Sequence, residues 1–242
     1  MQDSIPSQTI RKLRRLKRKL FGSPIGDRKV FGIGLNKTGT TTLGTCFTQL
    51  GLNHLSVRHD LLIKYRDGRL EDVFAVLDRY DSFEDWPYPL MYREIFERYG
   101  SKALFVLTTR RDAQVWLNSL KAHSLTTPPV HHSRLLAYGY NYPHENEQHH
   151  LDFYERHNRE VRAFFAANDA SDRLLEVCWE NGAGWPELCA FLGVTNPNVP
   201  FPHANQRQEP DAALREANLK EIERATGGPS PDDDGSRAAS AA

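Results

Sequence analysis

Residues 29–43 read KVFGIGLNKTGTTTL, and the reading of this stretch decides the fold. Lys29 to Ile33 alternates with β-branched and aromatic character, which predicts a buried strand. Gly34 and Gly39 then supply backbone freedom, and from Thr40 onward Leu43, Phe47 and Leu50 fall on one face of a predicted helix. Such a turn leaves several N–H groups aimed at one spot. An oxyanion placed there gains those donors and the positive end of the helix macrodipole, roughly 0.3–2 kcal/mol for the dipole alone. The hydroxyls of Thr38, Thr40, Thr41 and Thr42 and the ammonium of Lys37 stand around the same point. The stretch therefore predicts an anion site; the plainer alternative is a threonine-rich βα turn in an ordinary α/β protein.

Which anion is decided by what is missing. The nucleoside-triphosphate loop needs a lysine directly after its second glycine and a hydroxyl next to it for Mg²⁺. Here Gly39 is followed by Thr40, and Lys37 precedes it by two residues. The dinucleotide fingerprint also fails, because Gly32-Ile33-Gly34 runs into Asn36-Lys37 without a third glycine in register. The surviving pattern, a strand followed by Lys37-Thr38-Gly39-Thr40-Thr41, resembles the 5′-phosphosulfate loop of sulfotransferases that use 3′-phosphoadenosine 5′-phosphosulfate (PAPS).

A second motif stands further along. Ala103 to Thr109 (ALFVLTT) is a continuous apolar run of the kind a central parallel strand shows, and it ends in Arg110-Arg111-Asp112. Asp112 suits the N-cap of a helix from Ala113 to about His123. In the sulfotransferase family an Arg at this strand end and a Ser eight residues later hold the 3′-phosphate of PAPS, a spacing that Arg111 and Ser119 share. Arg offers a planar fork to a dianion, and a Ser two turns along the helix can stand beside it. Separately, these are a surface Arg and an ordinary helical Ser. Together with the first motif they make a pair of strand-to-anion-site turns in one chain.

The remaining chain supports an α/β reading. Its 242 residues, 39% of them hydrophobic, suit a single domain with a sizeable core. His54 to Val57 reads as a strand, Asp60 to Tyr80 as helix broken at Gly68, and Asp81 to Glu84 as an extended segment. Pro89 to Tyr99, Gln148 to Asn168, Trp185 to Gly193 and Asp211 to Ala225 read as helices, and Arg173 to Cys178 as a strand. Ser124 to Asn146, rich in Pro, His, Tyr and Gly, is too irregular for a core element and is a candidate lid over an acceptor site. Its histidines show no convincing metal-ligand spacing. Cys46, Cys178 and Cys189 are sparse and read as reduced thiols of a cytosolic protein. Asn36-Lys37-Thr38 matches a glycan sequon that would block the anion loop, so it is taken as chance.

Net charge is zero but lopsided. Residues 1–29 carry nine basic and two acidic side chains, a difference of +7 that the remainder balances. Ile10, Leu13, Leu16, Leu20 and Phe21 recur at helical spacing among them. This basic amphipathic helix could touch a membrane surface through residues 10–21 or hold an anionic acceptor; a solvated helix covering the domain edge is the plainer reading.

The resemblance covers Val30 to about Asn205, including Val199-Pro200-Phe201-Pro202-His203, and is closest to bacterial, carbohydrate-type sulfotransferases. It implies a P-loop-like α/β domain with a central four- or five-stranded parallel sheet flanked by helices; with the charge pattern and the polar composition of the ends, the expected division is a basic N-terminal helix (1–28), this domain at 29–226 and a disordered tail (227–242). It also implies a sulfuryl transfer from PAPS, without metal, to a hydroxyl or amine of an acceptor, a glycan or glycolipid by the C-terminal half. Lys37 would neutralise the leaving phosphate oxygen. Thr38, Gly39, Thr40, Thr41 and Thr42 would hold the 5′-phosphate, and Arg111 and Ser119 the 3′-phosphate. Where the family often has a catalytic His, this chain has Glu84-Asp85-Trp86-Pro87, which makes Asp85 the candidate general base; its other reading is a helix cap. The Arg-Lys-Gly segment of cytosolic small-molecule sulfotransferases is absent, with only Arg207 as a possible substitute. The expected location is the cytoplasm, with membrane-surface contact through the basic helix as the alternative to a solvated helix, and no nucleic-acid partner. Rival readings are a nucleotide kinase or NTPase, which the displaced lysine opposes, and a membrane or nucleic-acid binding module acting through Arg11 to Lys19.

Overall fold

The computed structural model describes residues 22–128, 132–202 and 211–227. The basic helix expected over residues 10–21, His131, His203, Arg207 and the tail beyond Gly227 lie outside the described residues. The sheet consists of β1 (Lys29–Gly32), β2 (His54–Leu55), β3 (Ser82–Phe83), β4 (Ala103–Thr108) and β5 (Leu174–Val177). Its order is β2-β3-β1-β4-β5, and every pairing is parallel. The described helices are α1 (Thr40–Gln49), α2 (His59–Arg66), α3 (Leu70–Leu77), α4 (Tyr92–Tyr99), α5 (Ala113–Ser124), α6 (His132–Tyr138), α7 (Glu147–Ala167), α8 (Trp185–Leu192) and α9 (Ala212–Ala225).

Period-two alternation in the central strands explains the layers. Val30, Leu104 and Val106 point to one face, where Leu43 and Phe47 of α1 and Leu188 and Leu192 of α8 cover them. Phe31, Phe105 and Leu107 point to the other, against α3, α4 and α7, with Phe31 stacked on Phe83 at 4.5 Å between ring centroids. Because helices lie on both faces, every residue of β4 is buried and its run is apolar from Ala103 to Leu107.

A third cluster lies beyond the carboxyl ends of the strands: Leu35, Leu62, Trp86, Trp116, Leu120 and Tyr138. It corrects one expectation. The segment 124–146, expected to be irregular, contains α6 and a 3₁₀ turn at Pro143–Glu145. Seven residues give too little periodicity to be read locally, and the helix is fixed by tertiary contacts instead. Tyr138 packs edge-on against Trp86 and Trp116 and donates to Asn36 Oδ1, while Arg134, 2% exposed, donates to the Asn141 carbonyl and to Thr127. Asn218 of α9 ties down the same segment, donating to the Leu125 and Thr127 carbonyls and accepting from the Tyr142 hydroxyl.

Topology places the site. From β1 the chain moves outward to β2, returns at β3, and crosses to the far side of β1 as β4. The loops leaving β1 and β4 therefore part in opposite directions, opening a crevice at the carboxyl ends of the strands.

Candidate active site

The loop after β1 is held from below and open above. The Ile33 amide continues the ladder to the Val106 carbonyl at 2.8 Å, and the Thr38 amide turns back to the Leu35 carbonyl at 3.3 Å. Lys37 (φ 68°) and Gly39 (φ 95°) both take left-handed conformations, so the chain doubles back before α1 starts. Glycine is required at 39 for a second reason: a Cβ there would stand 2.4 Å from Cδ1 of Trp179, whose indole N–H donates to the Gly39 carbonyl at 3.2 Å. As N-cap, Gly39 offers no side chain to α1, and the first turn contains no acid. The orphan amides of that turn are left for an external anion.

The threonines divide their work. Thr38, 1% exposed, donates to the Leu35 carbonyl and shares a hydrogen bond with the Thr108 hydroxyl, both at 2.6 Å. Its hydroxyl pins the loop to β4, and its amide is turned back to the Leu35 carbonyl. Thr40 is buried and lies 3.5 Å from Asp85 Oδ2. Thr42 is buried and Thr41 exposed.

Lys37 is half-buried, and burial depresses the pKa of its ammonium; Asp85 opposes that shift and Arg110 adds to it. Asp85 follows β3, at φ 67° and just before a cis Trp86–Pro87 bond. Its Oδ1 accepts the Trp86 amide at 2.8 Å. No amide of α4 bonds to it, since α4 begins only at Tyr92 with no side-chain cap. Burial, reinforced by the neighbouring Glu84, pushes its pKa up to about 7 against the pull of the Trp86 amide, Lys37 and Thr40. A buried carboxyl poised near neutrality beside a lysine is suited to proton transfer.

At the end of β4 the two arginines separate. Arg110 folds over the loop, donating to the Lys37 carbonyl at 3.3 Å and to Glu180 Oε1 at 2.7 Å; its Nε is buried without a partner. Arg111 is exposed, with its guanidinium 3.6 Å from Asp112 and its amide donating to Glu180 Oε2 at 3.0 Å. Asp112 caps α5 through the Val115 amide, as expected. Ser119 lies on α5, half-buried. Beside these residues opens a groove of about 750 Å³, lined by Arg110, Arg111, Tyr154, Asn158, Arg159 and Arg162 among others. Its size fits a nucleotide, its wall carries four arginines against Asp112, Glu155 and Glu176, and Asn158, 4% exposed, has an Oδ1 without a hydrogen-bond partner.

Thus adjacent strands β3, β1 and β4 deliver Asp85, Lys37 and Arg110 to one crevice. Sequence reasoning missed Glu180, which follows β5 in no recognisable motif, and the buried Glu84 beside the proposed base. Among the described residues no cluster of His, Cys, Asp or Glu could hold a metal ion, and no helix is long and apolar enough to cross a membrane.

The sulfotransferase domain family matches residues 29–141 and 129–210, which takes in the whole sheet and both strand-end loops. The chain belongs to that family. It is also similar to the Ava biosynthesis cluster protein M of Aspergillus versicolor, with 27% identity over 217 residues, covering 72% of this chain and 80% of that protein.

Proposed function

We propose that this sulfotransferase moves a sulfuryl group from PAPS to a hydroxyl or amine of an acceptor, a glycan or glycolipid by the likeness of its C-terminal half to carbohydrate-type enzymes. The observation that carries the reading is the meeting of Lys37 and Asp85 at the open N-terminus of α1. In this scheme the amides of Gly39 to Thr42, with the Thr41 and Thr42 side chains, hold the 5′-phosphate. Arg111 and Ser119 hold the 3′-phosphate, and the adjoining groove takes the nucleoside. Asp85 removes the acceptor proton as the new bond forms from sulfur to the acceptor oxygen or nitrogen. The bond from sulfur to the bridging phosphate oxygen breaks, and Lys37 neutralises the charge left on that oxygen. The product nucleotide is 3′,5′-ADP.

Domain limits of 29–226, and contact of the basic residues 10–21 with an anionic membrane surface, belong to the same proposal, as does a cytoplasmic location. Thermal unfolding tests the nucleotide. At a hundredfold excess over Kd, 3′,5′-ADP should add ~2.7 kcal/mol, or roughly 5–10 °C in Tm for a domain of this size. ATP with Mg²⁺ should do much less. Stabilisation by ATP and none by 3′,5′-ADP would point instead to the kinase or NTPase reading.

A further inference from the structure

Glu180 holds two donors that the reaction scheme needs for a phosphate. It stands in the 3₁₀ turn Trp179–Asn181 that follows β5, and its two carboxylate oxygens meet different groups just past the end of β4. Oε1 accepts from the Arg110 guanidinium at 2.7 Å, and Oε2 accepts from the Arg111 amide at 3.0 Å. A guanidinium and a backbone N–H that converge on one oxyanion suit a phosphate as well as a carboxylate. Cys178 and Asn181, on either side of Glu180 in the chain, both line the groove beside Arg111. The carboxylate therefore lies at the edge of the groove and at the strand end to which the 3′-phosphate is assigned.

The turn is anchored, and the side chain is not. Trp179 donates its indole N–H to the Gly39 carbonyl at 3.2 Å and packs against Phe201 with 5.1 Å between ring centroids. The backbone of the turn is thereby tied to the loop after β1. The Glu180 side chain is 34% exposed, and among the described residues its carboxylate has no partner besides Arg110 and the Arg111 amide. An ion pair at that exposure is worth little, and an exposed side chain changes rotamer within nanoseconds. Two anions cannot occupy one pair of donors, so a phosphate that takes them must turn the carboxylate out.

We propose that Glu180 is an internal stand-in for the 3′-phosphate: it holds the Arg110 guanidinium and the Arg111 amide when no nucleotide is bound, and the incoming phosphate displaces it. Glu180 thus sets the nucleotide affinity by competing for the site. The proposal rests on the reading of the β4 end as the 3′-phosphate site. A brace that shaped the site for the nucleotide would have the opposite effect, because its loss would weaken binding.

Titration calorimetry of 3′,5′-ADP and 5′-AMP, at one fixed ionic strength, tests the sign. Glu180→Gln offers a single acceptor oxygen to two donors and loses the ion pair. It should tighten 3′,5′-ADP about three- to fivefold, the scale of a partly exposed ion pair, and leave 5′-AMP within about twofold. Glu180→Asp keeps a carboxylate but is one methylene short of both donors, and it should tighten 3′,5′-ADP as well. Unchanged or weakened 3′,5′-ADP binding in Glu180→Gln overturns the proposal. So does an equal gain for both nucleotides, or a gain in Glu180→Gln that Glu180→Asp lacks, since either would mark a general effect of charge instead of a displaced contact. If Glu180→Gln does not fold, the two nucleotides measured on Glu180→Asp decide by the same outcomes. Failure at the two levels is distinguishable: a wild-type protein that does not bind 3′,5′-ADP ends the PAPS reading and this proposal with it, whereas wild-type binding without the selective gain ends only this proposal.

Discussion

Arg110 and Arg111 leave the same strand end and face different partners, so substituting them separates two roles. Arg110 braces the loop after β1 through the Lys37 carbonyl, while Arg111 reaches into solvent beside the groove. Arg111→Ala should weaken 3′,5′-ADP by ~1.5–3 kcal/mol and leave 5′-AMP nearly unchanged, because only the former has the phosphate Arg111 and Ser119 are proposed to hold. Titration calorimetry with both nucleotides checks this. Equal weakening returns Arg111 to the surface, and a selective loss in Arg110→Ala transfers the role to Arg110. The spacing of residue types was legible in the sequence; the use of each atom was not. Thr38 is the clearest case, since a hydroxyl in the loop motif is turned inward by Leu35 and Thr108, and Thr108 lies 70 residues away. Glu180, which ties Arg110 and the Arg111 amide, was invisible for the same reason: the contact forms only when β5 is laid beside β4.

Among the elements, α7 carries a titratable anchor. His157 is buried with its Nε2 2.8 Å from the Ile33 carbonyl, and burial lowers its pKa to about 4 against the pull of that hydrogen bond. An unfolded histidine titrates near 6.5, so between about 6.5 and 4 the unfolded chain binds more protons than the folded one. The stabilisation is present above that window and is lost as pH falls through it. Tm should decline over this range, and His157→Gln should flatten part of the decline; an unchanged slope in the variant would show that His157 is not responsible. Long elements such as α7 and β4 were readable because their apolar pattern runs for several turns or fills a whole strand. The short helix α6 was not readable. Its ends are set by Arg134, which reaches Thr127 and Asn141 in the flanking turns, and by Tyr138 and the clasp from Asn218, whose partners lie far along the chain.

For the molecule as a whole, the order β2-β3-β1-β4-β5 matters more than any single motif. It sets the loops after β3, β1 and β4 side by side, so Asp85, the loop that carries Lys37 and the arginine pair, from distant parts of the sequence, share one crevice. A parallel sheet flanked by helices was expected from the family resemblance and from the apolar run of β4, but neighbour order is a property of packing and was reached only in the structure. The proposed chemistry predicts a division of labour between the two central residues. Lys37 touches the nucleotide before and during transfer, whereas Asp85 touches only the acceptor proton. Transfer of ³⁵S from labelled PAPS to a panel of glycans, glycolipids and phenols, measured beside 3′,5′-ADP binding, tests this directly. Lys37→Ala should lose both nucleotide affinity and turnover, the latter by ~10²–10³. Asp85→Asn should bind 3′,5′-ADP within about twofold of wild type and lose ~10²–10⁴ in transfer rate. Wild-type transfer by a folded Asp85→Asn protein would contradict the account.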